Sequence, residues 1–132
     1  NVRYQTPAIA QELGAKLDAL GTDAGAMPSC RVVRSFNRPA KPLTPATQRL
    51  AELARAAAAD LGQGMPFGKT GGVCDGNNLQ AEGLATIDTL GVRGGGLHTP
   101  EEWIELGSLV ERCQLVAVLI SRLAEGRLAV GS

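Results

Sequence analysis

His98 is the only histidine among the 132 residues, and its setting favours a role in binding. It follows a predicted apolar strand and three glycines, and it directly precedes Thr99-Pro100, a pair typical of a helix start. Loops between a strand and a helix are where α/β sheets present ligand sites. Imidazole is also the commonest metal-binding side chain. A lone histidine is more often a surface or core residue, so a metal role depends on this setting.

Two further motifs suggest nucleotide binding, and neither is complete. Gly68-Lys69-Thr70 would need a glycine five residues before Gly68, where Gln63 stands. The run Gly94-Gly95-Gly96 would need its third fingerprint glycine at Thr99, and no acidic residue follows at the required distance. The three glycines are either a flexible turn or a place where the backbone passes close to a ligand.

Local patterns predict alternating helices and strands. Thr6-Pro7 and Thr44-Pro45 open helices to about Leu20 and Leu61, because threonine caps a helix and proline suits its first turn. Further helices are predicted at 75–84, from Thr99-Pro100-Glu101-Glu102 onward, and at 108–123. Strands are predicted at 1–5, 30–36, 65–70 and 85–90. The alternation indicates an α/β protein, and the prolines between 38 and 45 indicate a crossing between two domains.

Composition excludes several classes of protein. A net charge of +0 argues against nucleic acid or an anionic membrane as the main partner, and no apolar stretch is long enough to span a bilayer. The scattered cysteines Cys30, Cys74 and Cys113 predict free thiols in a reducing compartment. A cytoplasmic location is expected, although a chain that begins at Asn1 without methionine leaves room for a signal peptide upstream.

Two segments about twenty residues apart resemble the end of the M20 metallopeptidases, especially the glutamate carboxypeptidase (carboxypeptidase G2-like) branch. They are Thr70-Gly71-Gly72-Val73-Cys74-Asp75-Gly76-Asn77 and Gly94-Gly95-Gly96-Leu97-His98-Thr99-Pro100-Glu101-Glu102. The family patterns are roughly TGG-x-[ST]-D-[GA] and GGG-x-H-[ST]-x-x-E. Cys74 departs from the family's Ser or Thr. The resemblance covers most of residues 38 to 126.

The resemblance implies a fold and a set of site residues. Residues 38–132 would be the C-terminal part of an α/β dizinc catalytic domain, and residues 1–37 the end of an α+β lid used for dimerisation. His98 would be a zinc ligand, and Arg38 and Arg3 would hold the substrate's carboxylate. Gly71 and Gly72 would bring backbone amides close to the substrate. Asp75 would cap the next helix or brace its loop and would not bind metal.

The implied activity is that of a zinc-dependent amidohydrolase or exopeptidase, which cleaves an amide bond next to a C-terminal or N-acylated amino acid. The complete enzyme would hold two zinc ions and form a homodimer through the lid. Nothing in the chain resembles the family's base glutamate or its other ligands, so these 132 residues are expected to be inactive alone and need not bind zinc. The alternatives are a non-catalytic binder of amino acids or peptides, an N-acyl-amino-acid deacetylase or desuccinylase, and an assembly-competent piece without independent function.

Overall fold

The computed structural model describes residues 2–22, 25, 27–35 and 38–126. The elements of this part are α1 (Pro7–Asp18), α2 (Pro45–Asp60), α3 (Asp75–Ala81), β1 (Gly94–Gly95), β2 (Trp103–Ile104) and α4 (Gly107–Ala124). The chain divides into two compact units. The first contains Asn1–Pro42 and Thr70–Leu84, and the second contains Leu43–Lys69 and Ala85–Ser132. The lid and catalytic assignments on either side of residue 37 stay predictions.

The helices begin where the sequence predicts, because their signals are local. The hydroxyl of Thr6 accepts a hydrogen bond from the backbone N–H of Ile9 at 3.3 Å, and Thr44 does the same for Thr47 at 3.1 Å. The predicted helix at 75–84 is shorter and ends at Ala81. Gly83, with φ of 92°, lies just past that end in the left-handed region that commonly terminates helices.

The core of the second unit lies between α2 and α4. Ala57, Ala58 and Leu115 are fully buried there, and Met65 and Val118 pack against them. Alanines on α2 let the two helices approach closely, so that Leu115 is covered completely. Burying a leucine side chain contributes about 2 kcal/mol to stability. This packing fixes α4 against α2, and with it the start of α4, to which the preceding segment of the chain is joined.

The predicted strands at 1–5, 30–36, 65–70 and 85–90 are wrong in the part of the chain that is described, which leaves out residues 1 and 36. A strand needs a partner backbone for its hydrogen bonds, and strand composition does not supply one. Cys30 shows the difference, since its N–H bonds to the hydroxyl of Thr22 and its carbonyl to the N–H of Thr22. The four helices and small sheet of the described residues are nevertheless compatible with the α/β class.

The helix predicted to start at Thr99-Pro100 is also wrong. Residues 97–101 form turns, and the chain then folds back as β2. β1 and β2 are antiparallel, with Gly94 opposite Ile104 and Gly95 opposite Trp103. Thr99 does not cap a helix, because its hydroxyl donates to the carbonyl of Gly96 at 2.7 Å. Residues 93–105 therefore form a β-hairpin, which we call the His98 hairpin.

Two predictions from composition have outcomes. Cys30, Cys74 and Cys113 are free thiols, as predicted. Of the helices in the described ranges, none combines the length and the apolar character needed to cross a bilayer.

Candidate functional site

Arg3 and Gly71, two of the predicted substrate-binding residues, are in contact within the first unit. The guanidinium of Arg3 donates through Nη1 to the carbonyl oxygen of Gly71. A Cβ added to Gly71 would stand 3.2 Å from Cδ of Arg3, so a larger residue at this position would require the arginine side chain to shift slightly. The glycine thus lets an arginine cross the loop at close range.

Arg38 reaches the other end of the same loop. Its Nη2 lies 2.9 Å from Oδ1 of Asp75, and the two side chains are 39% and 86% exposed. Asp75 is the first residue of α3, and the cap is Cys74, so of the two roles expected for Asp75 the helix cap is wrong. Its carboxylate braces Arg38 instead. An ion pair as exposed as this contributes only about 0–1 kcal/mol, because water screens both charges.

The backbone around Arg38 is held by side chains that sequence reasoning missed. Tyr4 donates its hydroxyl to the carbonyl oxygen of Arg38 at 2.8 Å, and Asn77 donates Nδ2 to that of Pro39 at 2.8 Å. Asn77 is 5% exposed. Proline has no N–H, so this stretch cannot join a regular ladder, and these side chains satisfy its carbonyls instead. No spacing in the sequence signals these bonds, because Tyr4 is 34 positions from Arg38 and Asn77 is 38 positions from Pro39.

The loop before α3 uses part of its own hydrogen-bonding capacity. The N–H of Gly72 donates to the hydroxyl of Thr70 at 3.1 Å, and the N–H of Cys74 donates to Oδ1 of Asn77 at 3.1 Å. The amide of Gly72 is therefore engaged within the loop. Its predicted approach to a substrate stays a prediction.

His98 lies at the tip of its hairpin, in the second unit. The side chain is exposed, and the backbone N–H is 3.4 Å from Oε2 of Glu102. Its φ of 66° is in the left-handed region, which is uncommon outside glycine and costs about 1 kcal/mol or more. The surrounding turn therefore fixes the backbone of His98 in an unusual conformation while it leaves the imidazole accessible.

The three glycines before His98 allow close approach to the opposite strand. A Cβ on Gly94 would overlap the carbonyl oxygen of Trp103, and one on Gly95 would stand 2.9 Å from the indole nitrogen of Trp103. Gly96 has φ of 67° and faces the carbonyl of Glu101. In this structure the contact that requires small residues is within the hairpin.

An ion-pair cluster, which sequence reasoning also missed, lies at the base of the hairpin. Arg93 donates Nε and Nη2 to the two oxygens of Glu105, each at 2.9 Å, and Nη1 to Glu111 on α4 at 2.5 Å. These hydrogen bonds from Arg93 lower the pKa of the carboxyls of Glu105 and Glu111 and raise the pKa of Arg93. All three groups are therefore firmly charged near neutral pH.

Backbone bonds reinforce the same junction. The N–H of Arg93 donates to the hydroxyl of Ser108 at 2.9 Å, and that hydroxyl donates to the carbonyl of Glu105 at 2.6 Å. The N–H of Glu105 in turn donates to the carbonyl of Arg93 at 2.8 Å. Ser108 is fully buried at the start of α4. The hairpin is thus bonded to the end of a helix that is itself anchored in the core.

Comparison with known families identifies the chain. The model of peptidase family M20/M25/M40 matches residues 8–122. This chain belongs to peptidase family M20/M25/M40. Neither the curated proteins nor the solved structures contain a match. Family membership confirms the M20 prediction and the general class of metal-dependent peptidases and related hydrolases.

The family match includes residues of both compact units. Arg38, Gly71, Gly72 and His98 lie inside the matched range, and Arg3 lies before it. Arg3, Arg38 and both glycines belong to the first unit, whereas His98 belongs to the second. The structure brings Arg3 together with Gly71, and Arg38 together with Asp75.

Peptidases of the M20/M25/M40 family generally depend on metal, and the described residues fit one ligand of such a centre. His98 is exposed at the tip of its hairpin. In the ranges that the structure describes, no group of three or more His, Cys, Asp or Glu side chains comes together to hold an ion. Catalytic zinc sites use three protein ligands. A metal site that used His98 would therefore need further donors from elsewhere.

Proposed function

We propose that the complete protein hydrolyses an amide bond next to an amino acid that carries a free carboxylate. The substrate would be a peptide with this amino acid at its C-terminus, or an N-acylated amino acid. Within the M20/M25/M40 family, the observation that carries the proposal is that two arginines bond to the segment 71–75, Arg3 at Gly71 and Arg38 at Asp75. A guanidinium can grip a carboxylate with two parallel hydrogen bonds.

Arg38 is the main carboxylate-binding residue in this proposal. Asp75 now occupies its guanidinium in an exposed and therefore weak ion pair, so an incoming carboxylate can replace it at small cost. The backbone of Arg38 is meanwhile fixed by Tyr4, and that of Pro39 by Asn77. A binding group held in place before the ligand arrives loses less entropy on binding.

His98 is the proposed zinc ligand of this chain. Its exposure at the hairpin tip supports that role, and the other ligands and the general base would come from parts of the protein outside these 132 residues. The ions would be two zinc ions. The segment Gly94 to His98 supports the glutamate carboxypeptidase branch over the deacetylases and desuccinylases.

The lid and dimer assignments are part of the same proposal. Residues 1–37 would end a lid domain through which two copies associate, and residues 38–132 would belong to the catalytic domain. Sedimentation of the complete protein should then give the mass of a dimer, and a monomer at micromolar concentration would contradict this part.

The experiment that tests the function is a substrate panel with matched carboxamides. N-acyl amino acids and dipeptides are compared with the same compounds in which the terminal carboxylate is an amide. Hydrolysis of the acids, with kcat/KM reduced about 10- to 100-fold for the amides, is the expected result, because a charge-assisted hydrogen bond contributes about 1.5–3 kcal/mol. Equal rates for both series would contradict carboxylate recognition. Tight binding of the acids without hydrolysis would support the non-catalytic binder instead.

A further inference from the structure

We propose that Arg93 is a positioning residue that fixes the His98 hairpin on α4 and so sets the place of the His98 imidazole. Arg93 acts on His98 through the hairpin and not by direct contact with a substrate. The inference rests on the proposed role of His98 as a metal ligand.

The fork of Arg93 joins two elements with one side chain. Nε and Nη2 hold Glu105, which follows β2, while Nη1 holds Glu111 on the second turn of α4. Planar, paired hydrogen bonds fix direction as well as distance, which a lysine ammonium cannot do. The bridge therefore limits rotation of the hairpin about its base.

The hairpin has little else to hold it. Its ladder consists of two residue pairs, and an isolated two-stranded hairpin is marginally stable in water. The side chains of Trp103 and Ile104 on β2 are 58% and 47% exposed, so the sheet buries little apolar surface. The orientation of the hairpin consequently depends on the bonds that Arg93 and Ser108 make at its base.

The helix to which the hairpin is bonded, α4, is itself held in the core. Leu115 fixes α4 against α2, with no exposed surface. His98 lies five residues from Arg93 and seven from Glu105, so a pivot at the base moves the imidazole by more than it moves the base. Distances between a metal and its ligands vary by only about 0.2 Å in functional sites. Loosening the base should therefore weaken metal binding without unfolding the protein.

The test compares Arg93→Lys and Glu105→Gln with a matched control in the complete protein. Arg122→Lys disturbs another arginine–carboxylate pair on α4, that of Arg122 with Asp60, at the end of the helix away from the hairpin. Three quantities are measured for each variant. They are the hydrogen exchange of the amides in 94–104, the zinc dissociation constant by competition with a chelator, and Tm. His98→Ala is included as the reference for loss of the ligand.

The expected result is a change confined to the hairpin and the metal. Exchange in 94–104 should be about tenfold faster in Arg93→Lys and Glu105→Gln than in Arg122→Lys, with zinc bound about tenfold more weakly, as for other groups that orient a metal ligand. The Tm of these variants should stay close to that of Arg122→Lys. This split between metal affinity and stability would not arise from a general loss of packing.

Two results would overturn the inference, and they are distinguishable. If Arg93→Lys keeps the zinc affinity of Arg122→Lys while His98→Ala loses metal, Arg93 does not position the ligand, and the proposed function stands. If His98→Ala itself keeps wild-type affinity, the ligand role fails, and the inference about Arg93 fails with it.

Discussion

Arg38 combines a fixed backbone with a guanidinium that pairs with the exposed carboxylate of Asp75. Arg38→Gln should raise KM for a substrate with a free carboxylate and lower kcat/KM about 10- to 100-fold, because a charge-assisted hydrogen bond contributes about 1.5–3 kcal/mol. Steady-state kinetics on an N-acyl amino acid and its carboxamide measure the effect, which should be absent for the carboxamide.

Arg34→Gln is the matched control for that variant. Arg34 belongs to the same unit, is equally exposed at 39%, and also pairs with an aspartate, Asp18. Its loss should leave KM nearly unchanged. Equal increases in KM for both variants would mean that Arg38 acts through general stability and does not bind the substrate.

Asp75 competes with the substrate for Arg38 in this account. Asp75→Asn should therefore lower KM by up to about fivefold, the equivalent of the 0–1 kcal/mol that an exposed ion pair contributes. The measurement is KM for the same N-acyl amino acid. A rise in KM as large as that of Arg38→Gln would instead show that Asp75 holds Arg38 in its working position.

At the level of single residues, sequence motifs indicated which residues are candidates for the site, but they did not indicate which residues contact one another. The two segments around Gly71 and His98 were recognisable because their residues are adjacent in the chain. The contacts of Arg38 were not recognisable, because Tyr4 is 34 positions away in the chain and Asp75 is 37 positions away. Asp75 was expected to cap the helix or to brace its loop. The first of these is wrong, because the cap lies one residue earlier, at Cys74.

The His98 hairpin depends on small residues in β1. Gly94→Ala should destabilise the protein by about 1–3 kcal/mol, because its Cβ would overlap the carbonyl oxygen of Trp103 and disturb the pairing of Gly94 with Ile104. Urea denaturation measures the free energy of unfolding. Gly91→Ala is the control, since a Cβ at Gly91 meets nothing within 4 Å. Equal stability of the two variants would contradict the close approach of the strands.

The cluster at the base of the hairpin should make stability depend on pH in acid. Arg93 lowers the pKa of Glu105 and Glu111 below the ordinary 4.5, so the unfolded chain binds more protons than the folded protein in this range. The added stability is therefore present above pH 4.5 and is lost as pH falls through the lowered values. Arg93→Gln should remove this contribution.

Thermal unfolding between about pH 6 and pH 3 tests the effect. Tm of the wild type should fall more steeply below pH 4.5 than Tm of Arg93→Gln. A double variant, Glu105→Gln with Glu111→Gln, should be as shallow as Arg93→Gln, because the titrating groups are gone. Parallel curves for all three proteins would show that the cluster contributes nothing to folding.

Elements were predicted well where their signals are local and poorly where they need a distant partner. The caps of α1 and α2 lie within three residues of their bonding partners, and both helices start as expected. The helix predicted to start at the third Thr-Pro pair, Thr99-Pro100, is wrong, because Trp103 and Ile104 form a strand that pairs antiparallel with β1. The segment 85–90 has strand composition, yet within the described ranges it makes no ladder.

The whole chain is organised in two compact units, and a single family match runs through both of them. Length and composition predicted a compact protein or pieces of two domains, but neither could set the boundaries. Asn1–Pro42 and Thr70–Leu84 form one compact unit, although most of the chain between them belongs to the other unit. The sequence could not indicate this, because individual side-chain bonds and not a regular pattern make the connection, among them those of Asn77 and Gln80 on α3.

The metal content and turnover of the complete protein, compared with those of His98→Ala, test the proposed hydrolase most directly. Cys30→Ala, which removes another exposed donor, is the control. The account predicts about two zinc ions per subunit in the wild type and in Cys30→Ala. It predicts loss of both metal and hydrolysis of N-acyl amino acids in His98→Ala. A His98→Ala variant that keeps its metal and its rate would contradict the account and would make His98 a structural residue of its hairpin.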